Sequence, residues 1–362
     1  MQFTSLKWMC VVLTSSLVGC SQITPLPEHQ VALSQTYPLQ TQGNYQVLSW
    51  DNYVNDQQLI NLVDLALVSN QDLKIASLRI HEAQAAYGIQ RAELFPNIGG
   101  NAGMERNHVP ADLSYVGREM TTSQYSVGLG MNQWELDLWG RIRSLNEAAL
   151  QQFFAVESNV QAVRNSLIQQ TVLSYLTLSE LDKRIYFAQR SVQNYEKSVR
   201  LFKRRYEVGA SSKVEYMQAK TMLSNGQALV TQLEKSRALT ANYLVQLVGQ
   251  PTSLHQTDLD QVTFKTGVLH TGLPSDLLLN RADIRASEAM LKSKHANINA
   301  ARAAFFPRIT LTGSLGTASA DLDGLFKSGS SVWSFAPSIS VPIFTAGRLK
   351  NNLILAEVRK DI

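Results

Sequence analysis

Residues 70–98, NQDLKIASLRIHEAQAAYGIQRAELFPNI, and residues 281–309, RADIRASEAMLKSKHANINAARAAFFPRI, carry the same pattern. Asp72 matches Asp283, Ala85 matches Ala296, and Arg91-Ala92 matches Arg302-Ala303. Phe95-Pro96-x-Ile98 matches Phe306-Pro307-x-Ile309. Each copy reads as a helix with a stop before an extended segment. Proline has no N–H to continue a helix and biases its predecessor toward extended geometry, so Pro96 and Pro307 are the helix stops. In the first copy the helical pattern starts at Asn55 and runs to Leu94, with apolar residues at Leu59, Leu62, Val63, Ala66 and Leu67 and again at Leu73, Ala76, Ile80 and Ala83.

Both copies continue alike. Strands are expected at about 97–106 and 123–137 in the first, and at about 308–317 and 331–345 in the second. Tyr125, Val127, Leu129 and Met131 alternate with Ser126, Gly128, Gly130 and Asn132. Trp333, Phe335, Ile339, Val341 and Ile343 alternate with Ser334, Ala336, Ser338 and Ser340. A period of two places apolar residues on one face and small hydroxylated ones on the other. Gly140-Arg141 after the first strand pair corresponds to Gly347-Arg348 after the second. Agreement of helix, stop, strand pair and Gly-Arg in one order marks an internal duplication. Four such strands cannot close a membrane barrel alone, since the smallest barrels close with about eight.

From Arg141 to Val208 there is neither proline nor glycine. Apolar positions step by threes and fours: Val156, Val160, Val163, Leu167, then Leu178, Leu181, Ile185, Ala188, Val192, Tyr195, Val199, Phe202 and Tyr206. That spacing is the coiled-coil seam. At about 1.5 Å per residue the expected rod is about 100 Å long. Gly209 ends it, being free to take a left-handed cap. Ser212-Lys213-Val214-Glu215 then reads as a capping box that starts a return helix to Val248. The expected fold is therefore mainly α, with a long antiparallel helical hairpin over 141–249, plus a four-stranded β portion.

The N-terminus reads as an export leader. Lys7 gives a positive start, Trp8 to Val18 is mostly apolar, and Leu17-Val18-Gly19-Cys20 follows. The apolar run is shorter than the roughly 20 residues a transmembrane helix needs. Small residues before a cysteine match the bacterial lipoprotein signal, which makes Cys20 the lipidation site, carrying diacylglycerol and palmitate. Cys10 would leave with the leader, so the mature chain would hold no disulfide. The expected divisions are a signal peptide at 1–19, an extended tether at 20–54, a first repeat at 55–250, an irregular region at 251–274 and a second repeat at 275–362.

Composition excludes other classes. The formal net charge is +4 and only 17% of residues are charged. No clustered Lys/Arg face points to nucleic acid. His81-Glu82 lacks the second histidine of a zinc-protease motif. Thr312-Gly313-Ser314-Leu315-Gly316 lacks the first glycine of a nucleophile elbow, and Gly128-Leu129-Gly130 has no third glycine. The reading is no enzyme, no metal and no cofactor.

In combination these motifs resemble the TolC-like outer-membrane efflux proteins, in particular the lipoprotein branch that includes OprM and the NodT-type subunits. The resemblance rests on Leu17–Cys20, on Trp134-Glu135-Leu136-Asp137-Leu138-Trp139-Gly140-Arg141, on Gly272-Leu273-Pro274-Ser275-Asp276-Leu277-Leu278, on Asn299-Ala300-Ala301-Arg302-Ala303-Ala304-Phe305-Phe306-Pro307 and on Pro342-Ile343-Phe344-Thr345-Ala346-Gly347-Arg348. It implies a homotrimer whose subunits each give four strands to one twelve-stranded barrel in the outer membrane. The helices would form a periplasmic tunnel, docked by a periplasmic adaptor and an inner-membrane RND pump that supplies the energy. The cargo would be drugs or other toxic small molecules. Tyr125, Val127, Leu129, Met131, Trp333, Phe335, Ile339 and Val341 would face lipid. Tyr206, Gly209 and Ser212 at the tip would meet the adaptor.

Two departures stand out. The usual Arg-Pro-Asp-Ile run is Arg281-Ala282-Asp283-Ile284 here. The second repeat reaches Ile362 with its rod barely begun, about 100 residues short of the first by repeat count, so the expectation is a C-terminally truncated chain without the second tip and its gate residues. The competing expectations are a non-conducting, lipid-anchored periplasmic coiled coil and an adaptor-type lipoprotein. Replacing Cys20 by alanine is expected to abolish incorporation of labelled palmitate; label retained by that variant would count against acylation there.

Overall fold

The computed structural model describes residues 23–26, 50–254 and 280–362. The leader, Cys20, most of the 20–54 tether and nearly all of the 251–274 region lie outside the described residues. A short 3-10 turn at Trp50–Tyr53 precedes helices α1 (Gln57–Ser69) and α2 (Gln71–Ala92). Strands β1 (Ile98–Val109) and β2 (Met120–Glu135) follow, then α3 (Arg141–Glu207) and α4 (Lys213–Val248). The second repeat supplies α5 (Ala282–Ala303), β3 (Arg308–Ser319), β4 (Ser331–Ser340) and α6 (Arg348–Asp361). Helix, two strands and a helix thus recur in the same order.

The chain divides into two compact units. One holds the sheet together with residues 23–26, 81–156 and 286–362; the other holds 50–80, 157–254 and 280–285. Helices in the first unit pack through small residues. Ala148, Ala155, Ala289, Ala296, Ala300 and Ala303 are all buried, and the Ser293 hydroxyl donates to the Ala148 carbonyl at 2.8 Å. Small side chains let helix backbones approach closely, which leaves room for such a side chain-to-backbone bond. Ala282 begins α5, and the Arg281 guanidinium pairs with Asp283 across the first turn.

In the second unit the apolar seam of α3 meets α1 and α4. Leu59, Val63, Leu178, Leu244 and Val248 are fully buried in one cluster. A second, smaller cluster joins Leu181, Ile185 and Ala188 of α3 to Leu233 of α4. Asp182, nearly buried on α3, is forked by the Arg237 guanidinium of α4. Removing either partner would strand a buried charge.

Two features differ from the sequence expectation. The single helical pattern over 55–94 is two helices, broken at Asn70. That residue is extended, with φ −64° and ψ 126°, and its amide closes α1 on the Ala66 carbonyl. Its carboxamide accepts from the Leu73 N–H at 2.8 Å, capping α2, and donates to the Leu247 carbonyl at 2.9 Å. A residue that satisfies end groups on three helices, one through its backbone amide and two through its carboxamide, outweighs continuous propensity. The close approach also needs Gly249, whose φ is +79° and where a Cβ would lie 2.5 Å from the Ser69 carbonyl oxygen. The second difference concerns β4, which ends at Ser340 and not at 345. Pro342 cannot donate to a ladder, so pairing stops there.

Tyr175 is 1% exposed and donates its hydroxyl to Asp56 Oδ2 at 2.7 Å. The other oxygen of Asp56 caps α1, accepting from the amides of Gln58 and Leu59. Burial, followed by the hydrogen bond to and charge of Asp56, raises the phenol pKa well above its usual value. The folded state therefore keeps a proton that the unfolded chain releases above about pH 10. Stability from this group is complete below that pH and is lost as pH rises through it. Tyr175→Phe is expected to cost about 1–2 kcal/mol and to flatten the alkaline fall in stability, read as urea midpoints on both sides of about pH 10.

Candidate functional site

The four strands form one antiparallel sheet in the order β1-β2-β3-β4. The β2–β3 pairing joins the two repeats. Register brings the alternating residues together. Met131, Leu129, Val127 and Tyr125 lie opposite Ile98, Gly100, Ala102 and Met104 of β1. Leu129 also lies opposite Leu315, which lies opposite Trp333. Phe335 pairs with Gly313 and Ile339 with Ile309. One face is thus a continuous apolar field whose larger members point outward: Leu129 is 58% exposed, Leu315 63%, Trp333 72% and Ile339 67%. Seven residues, from Ile309 to Leu315, span about 20 Å at roughly 3.3 Å each, close to the height of an outer-membrane apolar band. Beyond that band the same face turns polar, with Arg106, His108, Ser123 and Thr121.

The opposite face carries Asn101, Gly103, Ser126, Gly128, Gly130, Thr310, Thr312, Ser314, Ser334 and Ser338. The Ser314 and Ser334 hydroxyls bond each other at 2.7 Å. Small side chains and hydroxyls suit a water-filled side. Gly128 and Gly316 face each other across β2 and β3, so close that a Cβ on Gly316 would lie 2.3 Å from the Val127 carbonyl oxygen.

Sequence periodicity missed one member of the apolar field. A bulge between Met131 and Trp134, with Gln133 at φ +45°, shifts the phase of β2 by one residue. Trp134 therefore sits opposite Leu311 on the apolar side, and Glu135 opposite Thr310 on the polar side. Strict alternation assigns them the other way; a bulge is the local change that reverses facing. Val341, expected in the lipid-facing row, lies beyond the end of β4 and is 53% exposed.

The base of the sheet is held by charge. Glu135 accepts a forked pair from Arg141, 2.8 Å from Nε and 2.6 Å from Nη2, and also pairs with Arg308. One carboxylate thereby ties the end of β2, the start of β3 and the first residue of α3. Its hydrogen bond is the main cause that raises the Arg141 pKa further. Asp137 accepts from the Arg143 amide at 2.8 Å, capping the open N-terminus of α3. Trp139 stacks on Phe306, centroids 5.1 Å apart, and donates its indole N–H to the Pro307 carbonyl at 2.6 Å. The second Phe-Pro stop is therefore a contact point as well as a helix terminator, whereas Pro96 is exposed.

At the hairpin tip, α3 closes in a Schellman motif. Gly209, at φ +72°, donates to the Tyr206 carbonyl at 3.0 Å, and Ala210 donates to the Arg205 carbonyl at 2.7 Å. The Ser212 hydroxyl accepts from the Glu215 amide at 3.3 Å, starting α4. Tyr206 stacks on Tyr216 with centroids 6.2 Å apart. Val208 and Val214 are 78% and 64% exposed. The tip presents exposed valines among charged side chains on a fixed turn.

Residues 62–250 and 273–362 match the family model described as Outer membrane efflux protein. This chain belongs to the outer membrane efflux protein family. It is 39% identical over 373 residues to the solvent efflux pump outer membrane protein SrpC of Pseudomonas putida, covering 100% of this chain and 78% of that one. It is 39% identical over 316 residues to the outer membrane protein OprJ of Pseudomonas aeruginosa, covering 87% and 66% respectively. Among solved structures, the open state of the MtrE outer membrane channel of Neisseria gonorrhoeae superimposes with a TM-score of 0.81 at 36% identity, over 94% of this chain and 77% of that one. A membrane protein from Pseudomonas aeruginosa gives a TM-score of 0.86 at 36% identity, over 94% and 78%. The chain is an outer-membrane efflux channel subunit. No helix among the described residues is long and apolar enough to cross a membrane.

Close packing of β2 on β3 sets a test. Gly316→Ala is expected to destabilise the sheet by about 1–3 kcal/mol, whereas Gly99→Ala, where nothing lies within 4 Å of the new methyl, should change little. Temperature-dependent mobility in detergent gels would report both variants.

Proposed function

We propose that this chain is a passive conduit: three copies share one twelve-stranded barrel in the outer membrane, and their helices enclose a path across the periplasm. The observation that carries this reading is the sheet with one apolar face, one small polar face and two open edges. An apolar face of this area exposed to water would mark an interaction surface. In lipid the edges must be paired, and further copies of the same sheet would pair them. The polar face then lines the lumen. Small polar side chains there offer no strong site that would hold cargo, which suits passage.

The rest follows from that placement. A diacylglycerol and a palmitate on Cys20 add a second hold on the membrane, since more than one acyl chain gives stable anchoring. The tip around Tyr206, Gly209 and Ser212 offers a periplasmic adaptor its exposed valines, and an RND pump behind it provides the energy. The subunit then does no catalysis and needs no cofactor. Several relatives are named for solvent or toluene efflux, and small apolar organic molecules are the proposed cargo. An adaptor lipoprotein is the weaker alternative, because an adaptor has no use for paired two-faced strands.

The two faces make opposite predictions. Leu129→Arg puts a charge in the lipid-facing row, at a cost of up to about 2–4 kcal/mol per chain, and is expected to impair outer-membrane insertion. Ser126→Arg, three residues away on the polar face, should insert normally and lower single-channel conductance in planar bilayers. Equal tolerance of both, or loss of insertion only with Ser126→Arg, would overturn the facing.

A further inference from the structure

Helix α5 carries a polar notch that is filled by a single residue of the N-terminal segment. Asn299 is 4% exposed. Its carboxamide donates to the Thr24 carbonyl at 3.1 Å and accepts from the Thr24 hydroxyl at 2.8 Å. His295 Nε2 lies 2.8 Å from the same carbonyl, so that nitrogen carries the proton and donates. The Arg302 guanidinium donates to the Thr24 hydroxyl at 3.2 Å. Ile23, the preceding residue, packs on Gly140, where a Cβ would lie 3.0 Å from its Cδ1. Four hydrogen bonds and one apolar contact therefore converge on two residues of extended chain.

The notch is costly without its occupant. A buried carboxamide with no partner loses its hydration for nothing in return. Ala296, Ala300 and Ala303 are buried around Asn299, and His295 and Arg302 flank it at the notch. An asparagine among them is explained by what it grips.

We infer that α5 is a binding site for the chain's own N-terminal segment, recognising an extended residue that offers a hydroxyl and a carbonyl side by side. Its role is to fix where the tether leaves the base of the sheet. The consequence rests on the lipid reading above: Thr24 is the fourth residue after Cys20, and four residues of chain reach at most about 14 Å. A lipid on Cys20 is then held beside the sheet and not at the end of a long free leash.

The test is a nitroxide attached at Ile23→Cys in the full chain, read by electron paramagnetic resonance in membranes. The spectrum is expected to be immobilised. Thr24→Val removes only a hydroxyl from an exposed residue, and Asn299→Leu removes the buried grip; each should raise the mobile-to-immobile ratio about tenfold, the order expected for one to two lost hydrogen bonds. A mobile spectrum with α5 unaltered, or no change in Thr24→Val and Asn299→Leu alike, overturns the inference. Because Thr24→Val leaves α5 itself intact, its change cannot be attributed to a misfolded helix. The unsubstituted chain serves as the separate check on acylation: nitroxide uptake there would mean a free Cys20 thiol and would sink the lipid reading while leaving the α5 site standing.

Discussion

Everything in this molecule is arranged around the unpaired backbone edges of a four-stranded sheet. The sheet begins at β1 and ends at β4, and neither outer edge has a neighbour among the described residues. In water such edges are a liability; in lipid each unsatisfied N–H or C=O costs several kcal/mol. The outward apolar field of Leu129, Leu315, Trp333 and Ile339 suits a lipid surround. Together these facts demand closure, and one chain has too few strands to achieve it.

The charge cluster at the base answers a second demand. A strand sitting between lipid and water must give way to a helix that stands in water. That junction carries Glu135, shared by Arg141 and Arg308, and the Asp137 cap on α3. A single carboxylate serving both repeats fixes the two strand ends at one height. The duplicated Phe-Pro stop contributes differently in its two copies: Phe306-Pro307 receives Trp139, while Pro96 is free of such a contact among the described residues. Duplication supplied the elements, and divergence made one copy support the other.

Much of the fold was legible because its strongest signals are local. The Phe-Pro stops, the period-two strands, the glycine at the tip and the long proline-free rod each follow from neighbours in sequence. The family match covers both repeats. What was hidden is what depends on distant partners. Asn70 splits a helical pattern because its carboxamide finds Leu247, far along the chain. Trp134 changes face because of a bulge that alternation cannot reveal. Tyr175 looks like any seam residue, yet it reaches Asp56. Asn299 sits inside a motif quoted for resemblance, but its contact with Thr24 has no signature in either segment. Serine or asparagine just before Gln71-Asp72 could have suggested a cap at Asn70; nothing comparable announced the others.

The central claim is that the sheet is completed by other copies of the same chain in the outer membrane. Native mass spectrometry of the chain extracted from outer membranes with its lipid tests this directly. The account predicts a single species of three chains. A stable monomer recovered from the outer membrane would contradict it, because four strands with this facing cannot close alone.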